Sequence, residues 1–243
     1  MNEADNKYQA LFKWKRLQYN SPTTDSAFSM IEEYDKWAED YDKDYGAMGY
    51  AIPAQSAEML MRHLGENCKS SKIRIMDIAC GTGQIGIALR SNGFVGTLQG
   101  IDGSDKMISV AKKTKCYDDL NVQFIYPDKE ITPIGEGKYD AVSCLGAFSL
   151  YHMEPKTIRV MLNLLKPGGI FICSVRDSPN NQTVFDMLTT EMKTLDNSGL
   201  VKEIERKMTR HGVNWEIDEN YYTDVCDEMP EPSIMMIYCL QKL

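Results

Sequence analysis

One segment constrains this chain more than any other: Ile75-Met76-Asp77-Ile78-Ala79-Cys80-Gly81-Thr82-Gly83-Gln84. An apolar run passes into small residues and then into a helical pattern. Gly81 and Gly83 permit backbone conformations and close approaches that a side chain would block. The helix beginning beyond them presents N–H groups with no partner inside the helix. Parallel sheets hold nucleotide-like ligands in this way, at the carboxyl ends of their strands. A second apolar piece, residues 97–101, ends at Asp102. That is about twenty residues further on, where a carboxylate can accept hydrogen bonds from both hydroxyls of a ribose.

The remaining pattern predicts the frame around this loop. Phe28, Ile31, Tyr34, Trp37, Ala38, Tyr41 and Tyr45 recur at three- and four-residue steps and form a helical stripe. A second stripe, through Ala57, Leu60, Met61 and Leu64, has Pro53 near its start and Gly65 at its end. Strands are expected at 73–78, 97–101, 122–126, 139–145 and 170–175. They alternate with helices at 84–90, 104–113, 156–165 and 183–195, with Ser104 capping the second of these. Two last strands, 208–217 and 234–240, have no helix between them and are expected to form an edge hairpin. The alternation predicts an α/β fold, a parallel sheet with helices on both faces. Residues 1–25, with the patch Phe12-Lys13-Trp14-Lys15-Arg16, are expected to be a separate arm. Residues 26–243 are expected to be a single domain: 26–66 a helical lid, 73–176 the ligand-binding core, 177–243 a last helix and edge hairpin.

Composition narrows the function classes. The chain has 243 residues, 43% hydrophobic and 26% charged, enough to bury a core. A net charge of −8 argues against a nucleic-acid partner, because phosphate neutralisation needs clustered Lys and Arg. The N-terminus lacks the basic-then-apolar signal pattern, and the apolar stretches near 141–150 and 170–175 are too short for a bilayer. A cytoplasmic protein with no membrane partner is expected. Seven cysteines with no CxxC pair, Cys80, Cys144 and Cys173 lying within apolar runs, read as reduced and buried. No His, Asp or Glu spacing suggests a metal site.

Two cofactor classes use a loop of this kind. Gly81-Thr82-Gly83-Gln84-Ile85-Gly86 matches GxGxxG, the dinucleotide pattern. Asp77, however, places a carboxylate where a pyrophosphate would lie. That is repulsive for NAD and attractive for the cationic amino-acid end of S-adenosylmethionine, so the second class is favoured.

Asp77 to Gly83 resembles motif I of class I S-adenosylmethionine-dependent methyltransferases. Gly100-Ile101-Asp102-Gly103-Ser104-Asp105-Lys106-Met107, Lys138-Tyr139-Asp140-Ala141-Val142 and Leu164-Leu165-Lys166-Pro167-Gly168-Gly169 resemble the motifs that follow, in the same order. Tyr34-Asp35-Lys36-Trp37-Ala38-Glu39-Asp40-Tyr41-Asp42, with Tyr50 and Pro53, is similar to the methyltransferase-like 27 branch. The resemblance implies a Rossmann-like seven-stranded sheet of order 3-2-1-4-5-7-6, with strand 7 antiparallel. It implies S-adenosylmethionine as cofactor and S-adenosylhomocysteine as product. Ala79, Cys80, Gly81 and Gly83 would line the methionine end with Asp77. Asp102 would hold the ribose beside Gly103 and Ser104, Met107 would pack near adenine, and Asp128 would reach the adenine edge. Gly146 and Ala147 would sit under the sulfonium. Ala79 departs from the common glycine, and the loop at 126–128 lacks the usual Asp-Ala pair.

Other candidates are single residues. Tyr34, Trp37 and Tyr41 serve equally as core packing or as a lid whose aromatic faces attract a sulfonium. His152, just past the fourth strand, is the candidate catalytic base, with a solvated loop histidine as the plain alternative. Arg176 can pair with a substrate carboxylate or with Asp177. The expected activity is SN2 methyl transfer to an acceptor, with a small molecule favoured. A silent cofactor-binding protein, a protein methyltransferase and an NAD oxidoreductase are the rivals. The oligomeric state is not legible.

Overall fold

A computed structural model of the chain describes residues 27–47, 49–129, 131, 137–210 and 234–243. The N-terminal arm, its Phe12–Arg16 patch and most of the strand expected at 208–217 lie outside these residues.

Seven strands form one sheet: β1 Arg74–Ile78, β2 Thr97–Asp102, β3 Asp119–Val122, β4 Tyr139–Phe148, β5 Leu165–Asp177, β6 Val201–Arg210 and β7 Ile234–Lys242. Their order is β3-β2-β1-β4-β5-β7-β6. The first five run parallel, and β7 lies antiparallel between β5 and β6. Among the described residues the α-helices are α1 Ala27–Ala47, α2 Ile52–Leu64, α3 Gln84–Ser91, α4 Asp105–Thr114, α5 Ile158–Asn163 and α6 Gln182–Asn197.

The central strands are apolar on both faces, as a sheet covered on both sides requires. Phe171, Cys173 and Val175 of β5 point into one core with Met76, Met161 and Leu188. Ile170 and Ile172 point into the other with Ile75, Leu60 and Leu89. Local signals act as expected at the helix ends. Ser104 Oγ accepts from the Met107 N–H at 3.0 Å and caps α4. Pro53 sits in the first turn of α2, and Gly65, with φ of 57°, follows its last residue.

Several boundaries differ from the sequence expectation. β3 begins ahead of the expected 122–126 and ends at its first residue, Val122, because the Asp118 carboxylate accepts the Leu98 N–H and starts pairing early. β5 begins at Leu165, since Leu165 already pairs with Tyr139 before a register shift. The α5 region opens as a 3₁₀ turn at Pro155–Thr157. β6 occupies Val201–Arg210, a stretch of alternating charge in which sequence periodicity shows no strand; pairing with β7 makes it one. Among the described residues no helix is long and apolar enough to cross a membrane.

Candidate functional site

The carboxyl ends of β1, β2 and β4 open onto a cleft, and α1 lies across it. The loop after β1 is shaped by its backbone. Ala79, Gly81 and Gly83 have φ of 54°, 54° and 89°, all left-handed. At Ala79 this conformation is one that a β-carbon resists, so the departure from glycine carries strain. Gly86, the third glycine of the GxGxxG match, has another purpose. A Cβ there would stand 2.4 Å from the Tyr117 ring, and the Gly86 N–H donates to Tyr117 Oη at 3.1 Å.

Tyr117 Oη in turn donates to Asp77 Oδ2 at 2.7 Å, and Ser143 Oγ donates to Asp77 Oδ1 at 2.7 Å. Asp77 is only 1% exposed. Burial pushes its carboxyl up to about 7, against the two hydroxyl hydrogen bonds, which pull it down. Asp102, at the end of β2, is held by backbone. Its Oδ2 accepts the Gly81 N–H and its Oδ1 the Ser104 N–H, both at 2.8 Å. Burial raises its carboxyl, and these amides oppose the rise. One carboxylate thus ties the loops after β1 and β2 together.

The cleft has two lobes. The larger holds about 840 Å³ of space, counted together with the solvent at its open mouth. Asp102, Gly103, Ser104 and Met107 form one wall, and Gly146, Ala147 and His152 the opposite one. The smaller lobe is bounded by Asp77, Cys80, Thr82 and Tyr50. Tyr41, Ala79, Gly81 and Leu145 border both.

The roof is α1. Asp35 Oδ1 accepts from Ser104 Oγ, and Asp42 Oδ1 accepts from Thr82 Oγ1 and from Gln84 Nε2 at 2.8 Å. Lys113 pairs with Glu39 at 2.7 Å on the exposed side. Facing the end of β4, Tyr34 Oη lies 2.9 Å from His152 Nε2, and His152 Nδ1 lies 2.8 Å from the Leu150 carbonyl. A carbonyl only accepts, so Nδ1 carries the proton and Nε2 accepts from the phenol. Burial lowers the imidazole's proton affinity; the Leu150 carbonyl opposes that shift and the Arg176 guanidinium adds to it.

The sequence candidates therefore divide. Tyr34, Tyr41, Asp77, Ala79, Cys80, Gly81, Asp102, Gly103, Ser104, Met107, Gly146, Ala147 and His152 all border one lobe or both. Three do not. Asp128 is exposed, because β3 ends at Val122 and the chain reaches the cleft earlier, through Gln123, Phe124 and Ile125. Trp37 packs behind the wall, its ring 4.9 Å from Tyr41 and its Nε1 donating to Asp44 Oδ2 at 2.7 Å. Gly83 caps α3, and a Cβ there would meet the Tyr117 ring at 3.0 Å. Arg176 is buried, and its Nη2 donates to Ser149 Oγ at 3.1 Å. Sequence reasoning missed the wall positions of Met30, Ile31, Leu145 and Met153. It quoted Tyr50 only as part of a motif. Its one available signal was the continuation of the aromatic run from Tyr45, whose ring lies 4.5 Å from that of Tyr50. Among the described residues no group of three or more His, Cys, Asp or Glu could hold a metal ion.

Comparison with known proteins agrees with this geometry. The family model described as a methyltransferase domain matches residues 69–224. Human methyltransferase-like protein 27 is 32% identical over 167 residues, 69% of this chain and 66% of that protein. The match spans 66% of that human protein and 44% of the demethylmenaquinone methyltransferase of Staphylococcus aureus (strain MRSA252). Two solved structures share the fold at low identity. A complex of the Haloferax volcanii Trm112 methyltransferase activator with a methyltransferase of unassigned role matches with a TM-score of 0.60 and 20% identity, covering 86% of this chain and 96% of that one. Geranyl diphosphate C-methyltransferase from Streptomyces coelicolor A3(2), solved with Mg2+, geranyl diphosphate and S-adenosylhomocysteine, matches with a TM-score of 0.57 and 12% identity, covering 91% and 100%. With a seven-stranded sheet in this order and a family model matched across its core, the chain belongs to the methyltransferase domain family.

Proposed function

We propose that the protein is an S-adenosylmethionine-dependent methyltransferase whose acceptor is a small molecule, and that residues 26–243 work as one catalytic unit. The observation that carries this is Asp102. Two backbone amides fix its carboxylate, and its remaining lone pairs border the cleft. A ribose diol is the natural partner for such a group.

The residues present fit that cofactor. Asp102 would take the ribose hydroxyls. Met107, Phe124 and Ile125 would hold the adenine between apolar surfaces, in place of the expected Asp128. The smaller lobe would take the amino-acid end, where Asp77 answers an ammonium. Tyr41 stands at the junction, where an aromatic face favours a sulfonium. Bound there, the cofactor would supply an electrophilic methyl group. The chain's own part is to position and desolvate the reactants, for which a roof over the cleft is suited.

A small acceptor is favoured because α1 crosses the cleft and is pegged on both sides, through Asp35 and Asp42 on one and Tyr34 on the other. A helix held over the cleft in this way suits a small acceptor better than a folded protein. The Trm112 complex among the structural relatives motivates the second reading, action with a protein partner.

The test has two arms. Calorimetry should give binding of S-adenosylmethionine and S-adenosylhomocysteine and none of NAD. Methyl-labelled cofactor in a cell extract should deliver label to the small-molecule fraction. Binding of NAD alone would overturn the cofactor assignment, and label confined to protein would overturn the small acceptor.

A further inference from the structure

The hydrogen-bond chain from Tyr34 through His152 to the Leu150 carbonyl has a direction. The carbonyl can only accept, so His152 Nδ1 donates to it, and Nε2 is left with a lone pair inside the cleft. Among the described residues that lone pair meets the Tyr34 hydroxyl, 2.9 Å away on α1. The histidine is held in this state from outside the cleft. The Leu150 N–H donates to Asn181 Oδ1 at 3.1 Å, and Asn181 Nδ2 donates to the carbonyls of Phe148 and Arg176. Tyr151 takes a left-handed φ of 63° between Leu150 and His152. A bulky residue holds that conformation only where its surroundings impose it. Four elements thus cooperate to aim one unprotonated nitrogen at one phenol.

We propose that Tyr34 and His152 form a proton relay for an acceptor that presents an acidic aromatic or enolic hydroxyl, and that this hydroxyl oxygen receives the methyl group. The inference rests on the cofactor reading above. As the acceptor oxygen bonds to the methyl carbon, the carbon–sulfur bond breaks and its electron pair stays on sulfur. The acceptor proton passes to Tyr34 Oη, and the proton of Tyr34 passes to His152 Nε2. The resulting imidazolium keeps its Nδ1–H on the Leu150 carbonyl and loses the extra proton to solvent after the product leaves.

The acceptor class follows from which protons such a relay can move. A neutral amine attacks through its free lone pair and loses its proton only after the methyl has transferred, so it needs no base in that step. A carboxylate is already ionised at neutral pH and needs none either. An aliphatic alcohol is far less acidic than a phenol, so sharing its proton with a neutral imidazole costs more. A phenol, titrating near 10, lies within reach of general-base help and gains most from it. The surroundings favour that choice. Burial keeps Tyr34 protonated, so it hands a proton on and does not act as a phenolate. The buried Arg176 guanidinium acts electrostatically on Tyr34 and His152 together, favouring negative charge on an oxygen there and opposing a stable imidazolium. Tyr45 and Asp102 act on Tyr34 in the opposite sense. Met30, Met153 and Ala147 offer apolar surface for a ring on the same side of the cleft.

The test uses the full chain saturated with S-adenosylhomocysteine. Long-range proton–nitrogen spectra of 15N-histidine protein, with His152 assigned by its loss in H152Q, should give the Nδ1–H tautomer at neutral pH. Y34F should shift the Nε2 signal. Methyl-labelled S-adenosylmethionine should then label phenol and 2-naphthol at least tenfold faster than benzyl alcohol, with no label in benzylamine. Y34F should slow that transfer at least tenfold when S-adenosylmethionine is saturating. An Nε2–H tautomer, label in benzylamine, or undiminished transfer by Y34F would overturn the relay. Binding of S-adenosylhomocysteine with no label in either phenol overturns the relay alone. Failure of the wild-type chain to bind it overturns the cofactor reading and the relay with it.

Discussion

Asp102 and Asp42 both accept hydrogen bonds at the rim of one cleft, but from different kinds of donor. Asp102 takes the backbone amides of Gly81 and Ser104, each from a loop whose conformation is set within a few residues. Asp42 takes the side chains of Thr82 and Gln84, from a helix forty residues away in sequence. The floor of the cleft is built from strand ends, left-handed residues and main-chain N–H groups. The roof is built from pegs: Asp35 to Ser104, Asp42 to Thr82, Tyr34 to His152. Floor and roof should therefore differ in how much each contributes to holding a ligand and in how tolerant each is of substitution.

The largest expected effect is on the floor. D102A should weaken S-adenosylhomocysteine binding by about 2–3 kcal/mol, because a charge-assisted contact is lost and two amides lose their acceptor. Calorimetry checks this, and a change within twofold would remove Asp102 from the site.

The next effect is a pH dependence at Asp77. Its carboxyl titrates near 7 when folded, against an ordinary value of 3.8, and a bound ammonium would favour the ionised form. Affinity for S-adenosylhomocysteine should rise about tenfold from pH 6 to pH 8 in wild type and far less in D77N. The stability of the ligand-free chain runs the other way. Between about pH 4 and pH 7 the native state holds the proton that the unfolded state has lost, so stability falls as pH rises through that window. Denaturant titrations at pH 5 and pH 7 check the sign, and a slope unchanged in D77N would contradict it.

A smaller effect is expected at the roof. D42A frees two side-chain donors that water can satisfy, so ligand affinity should drop by about 1 kcal/mol with the fold intact. An effect as large as that of D102A would erase the distinction between floor and roof. Smallest of all, E39A breaks an exposed pair with Lys113, and its effect on thermal stability should lie within about 0.5 kcal/mol.

The same distinction explains what sequence reading could see. The loop after β1, Asp102 and the Ser104 cap depend on neighbours in the chain, and short-range chemistry identifies them. The sheet order and the antiparallel β7 came from the family resemblance and stand in the structure. β6 was hidden, because Lys202, Glu203, Glu205, Arg206 and Lys207 carry no apolar alternation and only pairing with β7 makes them a strand. Asp128 lies outside the cleft lining because β3 ends at Val122 and the chain reaches the cleft before it. The roof was read only as an even choice between packing and lid. Trp37 proves to be packing and Tyr34 proves to border the cleft, and no local pattern separates them. The pairing of Tyr34 with His152 joins residues 118 apart in sequence and exists only once α1 has docked. Gly86 was read as part of a dinucleotide pattern, yet it serves the Tyr117 ring and through it Asp77.

The most direct measurement is calorimetric titration of S-adenosylhomocysteine into the full-length wild-type chain and into D102A, side by side. The account predicts saturable one-to-one binding by the wild type and an affinity for D102A weaker by roughly 30- to 150-fold. No binding by the folded wild-type chain, or equal binding by both, would contradict it.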